Sequence, residues 1–310
     1  MKVLWQAMLL LSACVLGLLM DACDGTANCA SLPEGTKGKS LMQRDVSRQH
    51  NSDSSAEEEL LEEDGGPELP SPDSTVTLDT GPGGCDGTEV ARLDLYTLEA
   101  STSATLLVIP GGAYMKVSTV AISSVVPEYI KAGYRVAVLY YRVPRSATKP
   151  WMLCANPRQP LADATAAFKS LRSDADTGSI VMVGFSAGGH LAAHYSTTCS
   201  GNTCPTGVLL HFPWLETGAK VACGEAGKPY AHNPLVPTDG SQGCFPTALV
   251  TQNTPPTIVY HASGDSISLV TWSIAYVAAL ELAGVKHAYY EVPGGGHYLG
   301  AFSAVVAVSD

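Results

Sequence analysis

The chain has 310 residues, of which 45% are hydrophobic and 15% charged, a composition typical of a globular protein with a sizeable core. Its formal net charge is -11, but residues 31–83 carry 12 acidic against 4 basic side chains, and residues 84–310 carry 15 against 13. The larger part is nearly neutral and lacks the strongly basic surface of nucleic-acid-binding proteins, so no nucleic-acid partner is predicted.

The N-terminus begins with Met1-Lys2 and continues as an apolar run over 3–20 that is interrupted only by Gln6 and Ser12. This layout is typical of a secretory signal, so residues 1–22 are predicted to be a signal peptide and the protein to be secreted. The alternative is an uncleaved membrane anchor, because about 18 apolar residues can just span a bilayer. No other contact with a membrane is predicted.

Residues 23–83 are predicted to be an acidic linker or propeptide that precedes a folded domain over 84–310. Over 31–83 the chain combines Ser, Pro and Gly with acidic runs such as 57–59 and 62–64, and it contains almost no aromatic side chains. Such a segment cannot bury enough apolar surface to offset the entropy of ordering, and it is therefore predicted to be disordered.

Eight cysteines remain when Cys14 of the signal segment is set aside. An even number in a chain bound for an oxidising compartment indicates disulfides, with one or two free buried thiols as the alternative. Two couples bracket short turn-rich or Gly/Pro-rich segments, so local pairing is the simplest connectivity, and two further pairs follow by elimination. The expected pairs are Cys199–Cys204, Cys223–Cys244, Cys85–Cys154 and Cys23–Cys29.

From about residue 88, short β-rich runs alternate with helical patterns, which predicts an α/β fold with a mostly parallel central sheet flanked by helices. Strands are predicted at 90–98 (as an edge strand), 105–109, 135–140, 179–183, 207–211, 257–261 and 288–292. Helices are predicted at 120–131, 161–171, 189–196 and 269–282. The regular pattern fails over about 212–256, where prolines and two cysteines predict a disulfide-containing cap insertion.

Ser186 lies in the sequence Gly184-Phe185-Ser186-Ala187-Gly188, between a predicted strand and a predicted helix. In this context a G-x-S-x-G pattern favours a nucleophile elbow, because the small residues allow a sharp turn that presents the serine at a helix N-terminus. The alternative is a turn serine that caps the helix. Ser186 is therefore the candidate nucleophile of a serine hydrolase.

A serine nucleophile requires a base and a carboxylate, and both follow Ser186 in the chain. Asp265 comes after the predicted strand 257–261 and is the only acid between Asp239 and Glu281, although it could instead cap the next helix. His297 follows the last predicted strand within a glycine-rich loop, with an ordinary surface histidine as the alternative. We expect His297 to act as the base and Asp265 to orient it.

The tetrahedral intermediate of acyl transfer needs hydrogen-bond donors for its oxyanion. The backbone N–H groups of Gly112, Ala113 and Ala187 are the candidates, although the glycines after the strand 105–109 could simply form a turn. Trp214 and Tyr114 are candidate substrate-binding residues or, equally, packing residues under the cap.

The remaining histidines are predicted to be structural, and neither a metal nor another cofactor is expected. His190 and His194 are four residues apart, but Leu191 occupies the place where a zinc metalloprotease helix needs its glutamate. His190 is predicted to be buried and hydrogen-bonded. His211 and His261 end buried strands and are expected to have structural roles.

These motifs, taken together and in order, resemble the α/β-hydrolase superfamily, and within it the acetyl xylan esterases and the bacterial feruloyl-esterase-like group (the BD-FAE type). The likeness covers roughly residues 104–300 and is carried by residues 108–114, 141–144, 160–164, 184–193, 255–265 and 295–297. It implies metal-free hydrolysis of acetyl or feruloyl esters, commonly on plant polysaccharide, with Ser186, Asp265 and His297 in the catalytic positions.

This sequence departs from the family pattern at three points. Ala113 replaces the third glycine of the oxyanion loop, Gly264 stands where the family usually has an additional aspartate, and the Val-Pro expected after the catalytic aspartate is absent.

The sequence therefore predicts a secreted carboxylic ester hydrolase that acts through an acyl-enzyme on a small-molecule or polysaccharide ester. Two alternatives remain at this point. One is a secreted serine peptidase of the prolyl-oligopeptidase kind, although no propeller-like repeat precedes the domain. The other is a catalytically silent binding protein with the same fold. The oligomeric state is not predicted.

Overall fold

A computed structural model describes residues 68–96, 104–144, 146, 155, 158–215 and 245–298 of the chain. The predicted signal peptide, the predicted linker up to residue 67 and most of the predicted cap lie outside the described residues. The pairs Cys23–Cys29 and Cys223–Cys244 also lie there. Within the described ranges, no helix is both long enough and apolar enough to cross a membrane.

The described residues form one sheet of eight strands with helices on both faces. The strands are β1 (Ser74–Thr77), β2 (Arg92–Tyr96), β3 (Ala104–Ile109), β4 (Arg135–Tyr140), β5 (Ser179–Phe185), β6 (Gly207–His211), β7 (Thr257–Ala262) and β8 (His287–Val292). The helices are α1 (Val126–Lys131), α2 (Gln159–Ser173), α3 (Ala187–Thr198), α4 (Pro246–Leu249) and α5 (Val270–Leu282).

The strand order is β1-β2-β4-β3-β5-β6-β7-β8, with β1 and β2 antiparallel and the other six strands parallel. The predicted mostly parallel sheet flanked by helices is thus confirmed. All parallel strands end at the same edge of the sheet. The loops after β3, β5, β7 and β8 therefore converge there, and they carry the candidate oxyanion loop, Ser186, Asp265 and His297.

The continuous apolar runs of the inner strands are explained by burial on both faces of the sheet. In β3, Leu107 and Ile109 face a core formed with α2, α3 and α5, whereas Leu106 and Val108 face a second core that includes residues of α1. Successive side chains of a strand point to opposite faces, so each face receives half of the run. The inner strands therefore have no polar face.

The beginning of the domain differs from the prediction. Strand β1 pairs with β2 along residues 74–77, so the folded domain begins before residue 84 and β2 is not an edge strand. Val76 packs against the core and Leu78 is buried. Three of the four residues of β1 are polar, and backbone pairing with β2, rather than an apolar pattern, places this segment in the sheet.

A buried ion pair joins this N-terminal region to the sheet. The guanidinium of Arg142 binds the Asp163 carboxylate at 2.6 Å between Nη2 and Oδ1, with the aspartate side chain fully buried. The Nη1 group of Arg142 also donates to the carbonyl oxygens of Thr80 and Gly81, at 2.9 and 3.1 Å. These bonds satisfy the charge and hold residues 80–81 against the end of β4.

The predicted disulfide Cys199–Cys204 is confirmed, and it closes the turn after α3. Cys85 is also disulfide-bonded. Its predicted partner, Cys154, lies outside the described residues, so that pairing stays a prediction.

An aromatic row crosses the last four strands at matching register positions. Phe185, His211, Tyr260 and Tyr290 stack in sequence at centroid distances of 4.5, 5.4 and 4.8 Å. Burial lowers the pKa of His211 to about 3, so its ring is neutral over the ordinary pH range. The predicted structural role of His211 is confirmed by this packing.

Candidate active site

Ser186 occupies a sharp turn between β5 and α3, with a φ of 52°. The turn is possible because glycines bring three backbone segments into close contact. A Cβ atom on Gly188 would lie 2.1 Å from the carbonyl oxygen of Ile109, and one on Gly184 would lie 2.5 Å from that of Gly188. The Ser186 N–H donates to the carbonyl oxygen of His211 at 3.0 Å, which attaches the turn to the end of β6.

The structure brings Ser186, His297 and Asp265 into one hydrogen-bonded line. His297 Nε2 lies 2.9 Å from Ser186 Oγ, and His297 Nδ1 lies 2.8 Å from Asp265 Oδ2. An ionised carboxylate can only accept, so Nδ1 carries the hydrogen and Nε2 accepts from the serine hydroxyl. This arrangement matches the geometry that serine acyl transfer requires, in which a base contacts the nucleophile and a carboxylate orients the base.

Asp265 is buried, and both of its oxygens have hydrogen-bond donors. Oδ1 accepts the backbone N–H groups of Ile267 and Ser268 at 2.9 and 2.8 Å, and Oδ2 accepts from His297 and from His261 at 3.1 Å. Burial raises the pKa of Asp265, but the hydrogen bonds from His261 and His297 outweigh it and hold the pKa well below its usual value. Asp265 therefore both caps the turn before α5 and orients His297.

The loops that carry Asp265 and His297 are in direct backbone contact at Gly264. The Gly264 N–H donates to the carbonyl oxygen of Gly294 at 3.2 Å. A Cβ atom on Gly264 would lie 2.4 Å from the carbonyl oxygen of Gly295, closer than real Cβ contacts allow. The glycine at position 264 thus has a physical cause in this structure, namely the tight packing of these two loops.

Replacing Gly264 with alanine is expected to lower kcat by roughly 10- to 100-fold, because the added methyl group must displace the loop that ends at His297. The measurement is kcat on a chromogenic ester alongside unfolding by urea. Gly296→Ala is the matched control, since a Cβ atom there meets nothing within 4 Å. Equal kcat values for the two variants would contradict the assignment of Gly264 to loop placement.

The candidate oxyanion loop lies against the nucleophile. A Cβ atom on Gly111 would lie 3.0 Å from Ser186 Cβ, which is tighter than most real Cβ contacts, so glycine favours this approach. The Tyr141 hydroxyl donates to the carbonyl oxygen of Pro110 at 3.0 Å and so supports the loop from below. Two of the predicted donors, Gly112 and Ala113, come directly after Gly111 in the chain. The third, Ala187, is the first residue of α3, where backbone N–H groups have no acceptor within the helix.

Tyr114 does not line a substrate pocket, which was one of the two roles considered for it. Its side chain has no exposed surface, and its hydroxyl lies 2.8 Å from His190 Nδ1. Tyr114 therefore belongs to the core beneath the oxyanion loop, which also confirms the prediction that His190 is buried and hydrogen-bonded. Trp214 is half-buried, and its backbone N–H donates to the carbonyl oxygen of Ser186 at 3.0 Å.

Two aromatic residues that the sequence did not single out flank the base. Phe212 and Tyr298 contact the His297 ring edge to face, at centroid distances of 4.8 and 4.9 Å. Tyr298 follows His297 directly in the chain, a signal that was available. Phe212 follows the end of β6 and reaches His297 because its backbone has a φ of 37°. No local sequence pattern indicates this conformation.

Backbone strain is concentrated at this site. In the described part of the chain, the non-glycine residues with positive φ are Ala113, Tyr114, Ser186 and Phe212. Two lie in the oxyanion loop, one is the candidate nucleophile and one packs on the base. Such conformations cost about 1–3 kcal/mol each and persist where the surroundings impose them, typically at functional sites.

Among the described residues, no group of three or more His, Cys, Asp or Glu side chains could hold a metal ion. His190 and His194, which are four residues apart, lie on α3, and their rings are 5.8 Å apart between centroids.

Comparison with known proteins agrees with this fold. A family model described as the alpha/beta hydrolase fold matches residues 157–300, and a second model, described as BD-FAE, matches residues 93–208. Among solved structures, the carboxylesterase Cest-2923 of Lactobacillus plantarum WCFS1 superposes with a TM-score of 0.56 at 20% identity, covering 72% of this chain and 84% of that chain.

Two curated proteins are also similar in sequence. The chain is 29% identical over 211 residues to endo-1,4-beta-xylanase B of Butyrivibrio fibrisolvens, covering 63% of this chain and 32% of that protein. It is 24% identical over 225 residues to the acetylxylan esterase of Xylanibacter ruminicola, covering 68% of this chain and 44% of that protein. The chain thus spans less than half the length of either relative. The sheet order and the two family models show that the chain has the alpha/beta hydrolase fold, and its sequence resembles the acetylxylan esterases and the BD-FAE group.

Proposed function

We propose that the protein is a secreted serine carboxylic ester hydrolase that removes acetyl or other small acyl groups from carbohydrate through an acyl-enzyme. The observation that carries this proposal is the line of hydrogen bonds from Ser186 through His297 to Asp265. The sequence likeness to an acetylxylan esterase and to a xylanase supports carbohydrate as the alcohol component. The apolar segment over 3–20 supports secretion.

In the first half of the reaction, Ser186 Oγ attacks the ester carbonyl while His297 Nε2 takes the hydroxyl proton. The new C–O bond converts the carbonyl oxygen to an oxyanion, for which the N–H groups of Gly112, Ala113 and Ala187 are the proposed donors. His297 then returns the proton to the leaving alcohol as its C–O bond breaks. An acyl group remains on Ser186.

In the second half, water attacks the acyl-enzyme and His297 accepts its proton. Collapse of the second tetrahedral intermediate releases the carboxylic acid and returns the proton to Ser186 Oγ. Asp265 stays ionised throughout, because its hydrogen bonds hold its pKa well below the usual value. Its negative charge stabilises the imidazolium form of His297 in both halves.

The side chains around the Ser186 elbow are apolar, which suits the binding of an acyl group. A small apolar cluster combines two buried residues of the oxyanion loop, Ala113 and Met115, with half-buried side chains from three other loops: Trp214, Ile267 and Tyr298. Each of these three is next to or near a residue of the triad or of the elbow. None of the five carries a charge, as expected for the wall of an acyl pocket.

A panel of esters tests this proposal. We expect p-nitrophenyl acetate to be hydrolysed with a kcat/KM at least about tenfold above that of p-nitrophenyl butyrate, since each methylene that does not fit costs about 1–3 kcal/mol. Acetate should also be released from acetylated xylan. A higher kcat/KM for methyl ferulate than for p-nitrophenyl acetate would show that the preferred acyl group is feruloyl and not acetyl. Hydrolysis of peptide anilides without hydrolysis of any ester would contradict the proposal in favour of a peptidase.

A further inference from the structure

A second buried histidine contacts the carboxylate of the candidate triad. His261 lies on β7, four residues before Asp265, and its side chain has no exposed surface. Its Nε2 lies 3.1 Å from Asp265 Oδ2 and 2.6 Å from the carbonyl oxygen of Ser268, and its Nδ1 lies 2.7 Å from Ser273 Oγ. Both ring nitrogens are therefore engaged within one buried cluster.

The chemistry of these partners fixes where the ring hydrogen lies. The carbonyl oxygen of Ser268 and the ionised carboxylate of Asp265 can only accept, so Nε2 of His261 must carry a hydrogen and donate it. In the neutral ring, Nδ1 then accepts from the Ser273 hydroxyl on α5. In its neutral form His261 thus connects α5, the loop at Ser268 and Asp265 through one fixed pattern of donors and acceptors.

His261, on β7, shares its one Nε2 hydrogen between the carbonyl oxygen of Ser268 and Asp265 Oδ2. His297 donates to the same carboxylate oxygen from the loop after β8. Two backbone N–H groups, of Ile267 and Ser268, occupy the other oxygen. With four donors the carboxylate cannot rotate without losing a bond, and the donor from His261 competes with His297 for the electron density of Oδ2. Orientation and hydrogen-bond strength at His297 therefore both depend on His261.

We propose that His261 is a positioning residue of the active site, which fixes the Asp265 carboxylate and moderates its hydrogen bond to His297. This inference rests on the proposed ester hydrolase function for its kinetic consequence, although its structural consequence can be read without a substrate.

Among the charged and titratable side chains around this cluster, His261 and His297 are the ones that lower the pKa of Asp265. Glu291 is the register partner of His261 on β8, but it is exposed. On the β6 side, His211 stacks on Tyr260, and burial keeps its ring neutral. A change of pH profile on substitution of His261 would therefore report on Asp265 and His297.

The test compares two substitutions of His261, by glutamine and by asparagine, whose amide side chains differ in length by one methylene group. In His261→Gln, the terminal NH₂ reaches the position of Nε2 and can donate to both Asp265 and Ser268. In His261→Asn, the amide reaches only the position of Nδ1, near Ser273, and the donor to Asp265 is lost. His211→Asn is the matched control for loss of a buried imidazole on the neighbouring strand, since neither ring nitrogen of His211 has a hydrogen-bond partner in the described structure.

We expect His261→Asn to lower kcat/KM for p-nitrophenyl acetate at neutral pH by about tenfold. The acid limb of its pH profile should move to higher pH, because a carboxylate with fewer donors attracts the protonated form of His297 more strongly. The downfield NMR resonance of the His297 Nδ1 proton should move further downfield, because the remaining hydrogen bond strengthens. His261→Gln should restore the wild-type limb and resonance. His211→Asn should lose stability but keep both.

The inference is overturned if His261→Asn keeps the wild-type acid limb and the wild-type proton resonance, even if the variant is less stable. Should His261→Asn not fold, His261→Met replaces it in the same comparison with His261→Gln. If the wild-type protein hydrolyses no ester, the proposed function fails. The resonance of the His297 proton still decides the role of His261 in that case.

Discussion

Replacing Ser186 with alanine is expected to lower kcat for p-nitrophenyl acetate by about 10⁴- to 10⁶-fold, with KM little changed. The substitution removes the atom that forms the acyl-enzyme but leaves the oxyanion loop and the His297–Asp265 pair in place. Alanine also tolerates the turn, since the strain at a φ of 52° exists for serine as well. The measurement is steady-state kinetics together with urea unfolding, which should show a fold of nearly unchanged stability.

Ser196→Ala is the matched control for this experiment. Ser196 is also a buried serine of α3, but its hydroxyl donates to the carbonyl oxygen of Ala192 within the helix. Its loss should leave kcat within about twofold of wild type. Turnover by Ser186→Ala at the wild-type rate would show that the ester is hydrolysed elsewhere on the protein.

Asp265→Asn is expected to lower kcat by about 10⁴-fold, with the fold retained. Asparagine Oδ1 can still accept the N–H groups of Ile267 and Ser268, so the turn before α5 persists. The amide NH₂ then faces His297 Nδ1, where a donor meets a donor. His297 is driven to the tautomer that cannot accept from Ser186, and the base is lost.

The same variant makes a prediction about stability and pH. The pKa of Asp265 in the folded protein lies below its usual value, so its ionisation stabilises the fold above about pH 4. That contribution is lost as the pH falls below this value. Wild type should therefore be more stable than Asp265→Asn at neutral pH, and the difference should shrink on acidification.

Asp174→Asn is the control for both measurements. Asp174 pairs with Arg135 at 2.8 Å, but its side chain is 42% exposed, so its loss should change stability by less than about 1 kcal/mol and leave kcat intact. A kcat for Asp265→Asn within about tenfold of wild type would contradict the role of the carboxylate in setting the tautomer of His297.

The inner sheet and the candidate triad could be predicted because each leaves a strong local signal. Continuous apolar runs report burial on both faces of a parallel sheet. Ser186 and His297 stand in glycine-rich turns after such runs, and Asp265 is the only acid in its stretch. The parallel arrangement then places the ends of the runs at one edge, so chain order alone indicated which side chains meet.

Other features depend on contacts between distant segments and leave little local signal. Strand β1 is mostly polar and is held by pairing with β2. Gly264 appeared as a departure from a family pattern, whereas its cause is the carbonyl oxygen of Gly295 in another loop. His261 was predicted to be structural because it ends a buried strand, and its contact with Asp265 was not predicted, although the spacing of four residues was visible. For Tyr114 the sequence left pocket lining and packing equally open, and the structure shows that its side chain turns into the core.

Trapping the acyl-enzyme tests the central claim most directly. The protein is mixed with p-nitrophenyl acetate, quenched in acid within the first turnover and digested for mass spectrometry of the peptide that contains Ser186. We predict one acetyl group on Ser186 and a matching burst of p-nitrophenol, both absent from Ser186→Ala. Steady hydrolysis with no acetyl group on Ser186, or with the acetyl group on another residue that turns over at the catalytic rate, would contradict the account.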